Sequence, residues 1–455
     1  MNLNTSHPNL MLISEKIVSV IKRFPLPLGC VVAFFVLSVR GSGNTQIRFP
    51  YIAGLFCSGC WLIAFKLYTE SHQRSLKYYY FIGIPISLIL AWYSYKNFFI
   101  DNDFIFLGIG LFFSVFIAPF VNRETADIDV WQFNYDLWCR IILTILVAVI
   151  LYLGLLAIVL SIEFLWNFKS KPTLYLNVWL FIATLFCPVM VIYKIPTYFD
   201  TLKSPQLSKV IQSLLLYVML PIILIYSIIL YCYALKIFME WNLPKGGIAY
   251  MVSIFNTAVI VTYFLSYPLH KTSTVFSCFS QHVFKIILIP LVLLGVAIGH
   301  RIHEFGITEG RYVIVLYLIE IILIVIFAFV KKQNQLLKFT LSSGVFLIIL
   351  ASFGPWSASS MSIWSQTHRL EKVLIKHKIL INGKIHKLSD PLSPSDKSNI
   401  RSMINYLIRH QRFDALKKWF DNPASLKFNK DLKTYNSDEV LEAMGIKSDD
   451  KNKNY

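Results

Sequence analysis

The chain has 455 residues, 56% of them hydrophobic and only 15% charged, with 36 phenylalanines and a formal net charge of +18. Its mean hydropathy is +0.59. Soluble domains average about 45–50% apolar and about 25% charged, so no water-soluble core absorbs this much apolar surface, whereas lipid does. The cations are scattered over loops and the tail, without an Arg/Lys stripe or aromatic–basic interleaving, so nucleic acid is not an expected partner. Basic loops beside spans are what the positive-inside rule and anionic headgroups produce, and membrane lipids are the expected partners.

The N-terminus carries Glu15 and lacks a short apolar region followed by a small-residue cleavage site. The first span is therefore expected to serve as its own anchor. Candidate spans follow at roughly 24–39, 49–67, 79–96, 104–121, 140–162, 174–194, 213–235, 248–267, 284–300, 313–330 and 339–354, near the ~20 residues that cross the hydrocarbon core. The first is short and opens on Pro25 and Pro27, positions where the missing N–H costs nothing. The last is also short and ends at Gly354-Pro355. Pro85, Pro188, Pro221 and Pro290 fall inside apolar segments and hint at discontinuous helices.

The expected fold class is an all-α polytopic membrane protein, with about eleven transmembrane helices over residues 1–361 and a small soluble α-helical domain over 362–455. Lys/Arg residues favour the loops on the N-terminal side, such as Lys66, Arg74, Lys77, Arg123 and Lys194. Fewer lie on the other side, among them Lys96, Lys171 and Lys236. This bias places the N-terminus in the cytoplasm of an inner-membrane protein. With eleven spans the tail then lies outside.

Cys57 and Cys60 form a CxxC within the second span, where no aqueous access activates a thiolate. All seven cysteines fall in or beside apolar stretches and read as small buried hydrophobes. The loop from Asn122 to Trp131, with Asp136 beyond it, gathers Glu124, Asp127 and Asp129. It lacks calcium-loop spacing and reads as a solvated acidic loop rather than a metal site.

The most polar stretch between spans runs from Gly299 to Tyr312 and holds His300, Arg301, His303, Glu304, Glu309 and Arg311. Thr308 sits where it can cap the tenth helix, which puts Glu309 in the first turn and in favour with the dipole. One reading is a hairpin anchored at headgroup level. The other is an anion, headgroup or ion-coupling site, with Arg301 and Arg311 as donors and Glu304 or Glu309 as acceptors. Glu320 lies well inside the tenth span, where a carboxyl group must pair, protonate or face a cavity.

From residue 362 charged residues become frequent. Leu370, Val373, Leu374 and Ile375 give a helical period over Arg369–Ile381. Asn382-Gly383 forms a turn. The stretch from Pro391 to Pro394 reads as loop. Ile400, Met403, Ile404, Leu407 and Ile408 mark one face of a helix over Asn399–His410. Leu416, Trp419 and Phe420 continue in a short helix. A last helix opens at Ser437-Asp438-Glu439 and stops near Gly445. Such a module buries little by itself and is expected to dock on the bundle or on a protein partner.

No phosphate-binding loop, zinc-protease, serine-hydrolase or kinase motif is present, and neither a cofactor nor a metal is expected. The hairpin Arg301-Ile302-His303-Glu304-Phe305-Gly306-Ile307-Thr308-Glu309-Gly310-Arg311-Tyr312 resembles the R-I-x-x-[YF]-G-[IL]-T-x-x-R-Y signature of a bacterial membrane family, domain of unknown function 4153. Gly354-Pro355-Trp356-Ser357-Ala358 and Ser365-Gln366 with Arg369-Leu370 fit the same family, and the resemblance extends from the RFPL at Arg23 into the tail. It implies a multi-spanning membrane protein and supplies no substrate or catalytic residue. Arg301, Glu304, Gly306, Thr308, Arg311 and Tyr312 carry over as signature positions only.

Three function classes follow. A transporter or transport-associated protein calls for an aqueous midplane cavity holding Glu320. A membrane sensor or scaffold calls for a solid bundle, with the tail as its partner-binding module. A membrane enzyme acting on lipid or envelope intermediates, the least favoured, calls for a lipid-facing cleft where Arg301, His303 and Glu304 converge.

Overall fold

The computed structural model describes residues 18–39, 45–98, 103–167, 170–197, 199, 207–240, 247–330, 335–387, 392–410, 412–420, 428–429, 434–435 and 437–446. Lys16, Arg40, Lys169, Lys203, Lys245, Lys331, Lys332 and the terminal stretch after Ile446 lie outside the described residues.

In hydrocarbon a backbone must satisfy its own polar groups, and each apolar run does so as a helix. The helices are α1 (Pro25–Val39), α2 (Thr45–Ser71), α3 (Leu76–Asn97), α4 (Asp103–Ile117, with a 3-10 turn to Phe120), α5 (Asp127–Trp166) and α6 (Pro172–Tyr193). They continue with α7 (Lys209–Glu240), α8 (Ile248–Leu265), α9 (Thr274–Phe305), α10 (Glu309–Val330) and α11 (Leu336–Leu350). Each expected span is matched by a helix. Among the described residues, however, eight of these helices, not eleven, are long and apolar enough to cross a membrane. α1 and α11 have 15 residues each. α3 is long but too polar, since it carries Tyr78, Tyr79, Tyr80, Tyr93 and Tyr95.

The interior prolines locate the irregular turns. Proline has no N–H for the carbonyl four residues back, and its ring crowds that carbonyl. In α6 the helix widens to a π turn over Phe181–Phe186, just before Pro188. In α7 the π turn covers Leu215–Met219, just before Pro221. α9 stays α-helical through Pro290, and the carbonyl its ring leaves unpaired, that of Ile286, accepts the Tyr231 hydroxyl of α7 at 2.8 Å.

Successive helices run in alternation between two ends of the bundle. One end gathers Arg23, Glu70, Arg123, Asp127, Ile195, His270 and Leu337. There Arg23 is bidentate on Glu70 at 2.7–3.1 Å and donates to the Ile195 and Pro196 carbonyls. Asp127 is buried and accepts the first-turn N–H groups of Leu337 and Lys338, so it caps α11. The acidic loop is therefore not solvated at Asp127. His270, on the loop before α9, is pushed by burial from its usual 6.5 down to about 4. The opposite end holds the α9–α10 hairpin, the α11 terminus and the tail. Asp103 there accepts the Ser359 N–H at 3.1 Å.

The interior divides into two main cores. One joins α7 to α10 through Val252, Val259, Ile287, Leu294 and Ile321. The other joins α2, α4 and α5 through Leu67, Phe116, Phe120, Phe133 and Trp131. Outward faces stay apolar, as in Phe164 of α5 and Phe238 of α7, which fits lipid contact. Cys57 and Cys60 are buried, but Cys232 and Cys278 face outward, so burial inside the protein does not account for all the cysteines.

The C-terminal region has its own core of Leu370, Leu374, Ile400, Ile404, Leu407, Leu416, Trp419, Val440 and Leu441. Its first helix, α12 (Ala358–Lys376), starts at the Ser357 cap and runs across residue 362 without a break. Strands β1 (Leu380–Ile381) and β2 (Lys384–Ile385) pair antiparallel around Asn382 and Gly383, both at positive φ, as the turn chemistry predicts. Helix α13 (Pro394–Arg409) opens earlier than expected, because Ser393 accepts the Asp396 N–H and Pro394 suits the first helical position. α14 (Asp414–Lys417), a second strand pair β3 (Phe428–Asn429) and β4 (Thr434–Tyr435), and α15 (Ser437–Ala443) complete it. The strand pairs make the region other than purely helical.

Candidate functional site

The hairpin between α9 and α10 is a three-residue link, Gly306-Ile307-Thr308. Gly306 ends α9 with φ +70° and ψ −177°, a region essentially closed to residues with a Cβ, while its N–H reaches the Ile302 carbonyl at 2.8 Å. A Cβ at this position would lie 2.5 Å from Arg369 Cδ, 3.0 Å from Gln366 Nε2 and 3.1 Å from Ser365 Oγ. The glycine is therefore required by both the backbone conformation and the neighbour it faces, α12.

α12 binds this link through its exposed backbone. The Ile307 N–H donates to Ser365 Oγ at 2.9 Å. Gln366 Nε2 donates to the Phe305 and Ile307 carbonyls at 3.1 and 2.9 Å, and Arg369 donates to the Glu304 carbonyl. Arg311 closes the turn from the other side, on the Phe305 and Gly306 carbonyls at 3.2 and 2.7 Å, with its guanidinium 5.4 Å over the Phe305 ring. Tyr312 is buried and donates to the Trp356 carbonyl. Two stretches well apart in the chain, 304–312 and 356–369, thus form one joint. Partial burial holds the Arg369 guanidinium below its usual range.

The candidate residues separate into distinct roles. Glu309 stands in the first turn of α10, but its carboxylate reaches beyond the dipole to Tyr406 Oη at 2.6 Å and His410 Nδ1 at 3.5 Å, both on α13. Thr308 offers its carbonyl to the Tyr312 N–H at 2.8 Å; its hydroxyl makes no capping bond among the described residues. Glu304 is exposed and pairs with His300 at 3.3 Å, one turn back on α9. His303 is exposed as well. Arg301, His303 and Glu304 therefore do not converge on a cleft. Arg301 instead shares a cavity of about 140 Å³ with Thr308, Gly310, Arg311, Gly247 and Tyr250.

Glu320 lies apart from this group, packed on α11. Ser343 Oγ is 2.8 Å from its Oε1 and 2.9 Å from the Phe339 carbonyl, and Gly344 leaves the space that the carboxyl group occupies. Its Oε2 is buried without a hydrogen-bond partner. Glu163, in the last turn of α5, accepts from Ser170 N–H and Tyr175 Oη at 2.9 and 2.6 Å. No group of three or more His, Cys, Asp or Glu side chains is placed to hold a metal ion among the described residues.

Residue chemistry alone does not mark Tyr406, His410 and Gln366 as partners of the hairpin. Their only local signal is the helical pattern on α12 and α13; which face meets the bundle is a tertiary matter.

A curated relative, an uncharacterised protein of Pasteurella multocida (strain Pm70), is 25% identical over 276 residues, 59% of this chain and 46% of that protein. The chain thus spans about half the length of the relative it matches. No solved structure matches the chain. The profile described as domain of unknown function (DUF4153) matches residues 28–380, which takes in the hairpin, α12 and β1. On that match, over most of its length, this multi-pass membrane protein belongs to the DUF4153 family.

Proposed function

We propose that the protein is a membrane scaffold or sensor, in which a helical bundle holds residues 362–455 as a separate working unit at one membrane face. One observation carries this reading. The polar groups of the α9–α10 hairpin are committed to the C-terminal region: the backbone of Glu304–Ile307 to α12, and the Glu309 carboxylate to Tyr406 and His410 of α13. A movement of α9 against α10 is then felt directly at α13. In this reading all eleven hydrophobic helices cross the membrane and the N-terminus is cytoplasmic.

Amide hydrogen exchange on the full-length protein tests the coupling. Glu309→Gln and Tyr406→Phe are each expected to speed exchange in α13 while the distal halves of α9 and α10 keep wild-type rates. Wild-type exchange in α13 of both variants would sink the reading.

Transport is the second reading, and one observation favours it: the buried, unpartnered Oε2 of Glu320 inside an apolar helix. The hydrogen bond that holds its other oxygen to Ser343 weighs the other way.

A further inference from the structure

We propose that the cavity between the first turns of α8 and α10, flanked by Arg301 and Arg311, binds the phosphate of an anionic lipid headgroup. The proposal is distinct from the docking role given to the hairpin, because no residue of α12 or α13 lines the cavity and only Arg311 serves both.

The charge balance is the first argument. Arg301 has no hydrogen bond or ion pair among the described residues, and the charges it interacts with include the like charge of Arg311. Arg369 adds a third guanidinium within electrostatic reach of Arg311. The two carboxylates of the hairpin do not line the cavity, since Glu304 is held by His300 and Glu309 by α13. Two guanidiniums beside one cavity, with no acid lining it among the described residues, create a positive field that favours an anion between or beside them. Arginine is suited to that ligand, because its planar fork matches phosphate oxygens.

The backbone around the cavity agrees. Ile248 and Ala249 open α8, and Gly310 and Arg311 belong to the first turn of α10; all four line the space. The first N–H groups of a helix have no intrahelical acceptor and carry the positive end of the dipole. Here two helices bring these ends to the same cavity that the arginines flank.

Size and surroundings select the source of the phosphate. About 140 Å³ is well below the roughly 300–1,000 Å³ of a site for a drug-sized ligand, so a single headgroup phosphate fits and a nucleotide does not. Tyr250, Met251 and Ile254 of α8 are 62%, 56% and 70% exposed. They descend from the cavity along the outer surface of the bundle, which gives acyl chains an apolar face below a phosphate held at the rim.

Native mass spectrometry of the intact chain in detergent tests this with two lipids of identical acyl chains, dioleoylphosphatidylglycerol and dioleoylphosphatidylcholine. The anionic lipid is expected to be retained about tenfold better. Arg301→Gln removes a cation that makes no hydrogen bond or ion pair among the described residues. Gly310→Asp places a carboxylate on the lining, where a Cβ meets open space. Both variants are expected to lose the preference while keeping the wild-type thermal midpoint. Equal retention of the two lipids by the wild type, or an unchanged preference in both variants, overturns the proposal. A rise in thermal midpoint with inorganic phosphate over chloride at equal ionic strength, without any lipid preference, overturns it in favour of free phosphate.

Discussion

Gly306 shows how one residue can join two parts of the molecule. Its φ of +70° with extended ψ admits only glycine, and the space a Cβ needs is filled by Arg369, Gln366 and Ser365. Gly306→Ala is expected to lose about 2 kcal/mol of stability, the cost of a backbone conformation that alanine does not tolerate. The loss is read as a lower thermal midpoint in detergent, together with faster amide exchange in α12. A wild-type midpoint would mean that the turn rearranges freely. The sequence marks Gly306 as a tight turn, which is correct. That the glycine also admits α12 could not be read there, because Arg369 is 63 positions away and the apolar pattern between them says nothing of their approach. Thr308 teaches the converse. Its position before the helix follows from the sequence, yet its hydroxyl makes no cap, and Glu309, expected to serve the dipole, reaches α13 instead.

At the scale of elements, the interior prolines behave as local chemistry requires but in two ways. α6 and α7 admit a π turn ahead of Pro188 and Pro221, while α9 stays regular and hands its freed Ile286 carbonyl to Tyr231. A double-mutant cycle checks that assignment. Tyr231→Phe is expected to destabilise the protein by about 1 kcal/mol, in the range measured for interhelical hydrogen bonds in membranes. In the Pro290→Ala background, where residue 290 regains an N–H for Ile286, the same change is expected to cost much less. Additivity of the two substitutions would show that Tyr231 does not answer the proline. Helix boundaries were legible to within a few residues where a Pro or Gly punctuated the run, as at Pro172 and Gly247. They were not at α5, which extends from Asp127 to Trp166. Its first three turns are polar enough to read as loop, and they are helical because Val130, Trp131, Phe133 and Leu137 pack into the core.

At the scale of the molecule, the alternation of the helices puts the Arg23–Glu70–Asp127 end and the C-terminal region at opposite ends of the bundle. In the eleven-crossing reading proposed above, Lys271 and Asn382, separated by α9, α10 and α11, lie on opposite sides of the membrane. Substituted to cysteine one at a time in a background whose seven native cysteines are replaced by serine or alanine, the two positions are expected to react with a membrane-impermeant maleimide from opposite faces of oriented vesicles. Labelling of both from the same face would mean that an even number of the helices crosses between the two ends. Between the two positions, the short α11 is where such a change of parity would arise.

The sequence by itself determined the class of the protein, the place of every hydrophobic helix and the polar stretch from Gly299 to Tyr312. These follow from composition and from the length of apolar runs, properties each segment carries alone. Only the tertiary structure decided what that polar stretch does. It joins Glu309 to Tyr406 and His410 and Gly306 to α12, and sets Arg301 on one cavity with the first turn of α8, while Glu320 is hydrogen-bonded to Ser343. The reason is physical. In a bundle whose helices are apolar on nearly every side, the hydrophobic pattern does not say which face meets which neighbour. That choice falls to close packing and to a few hydrogen bonds between residues far apart in the chain.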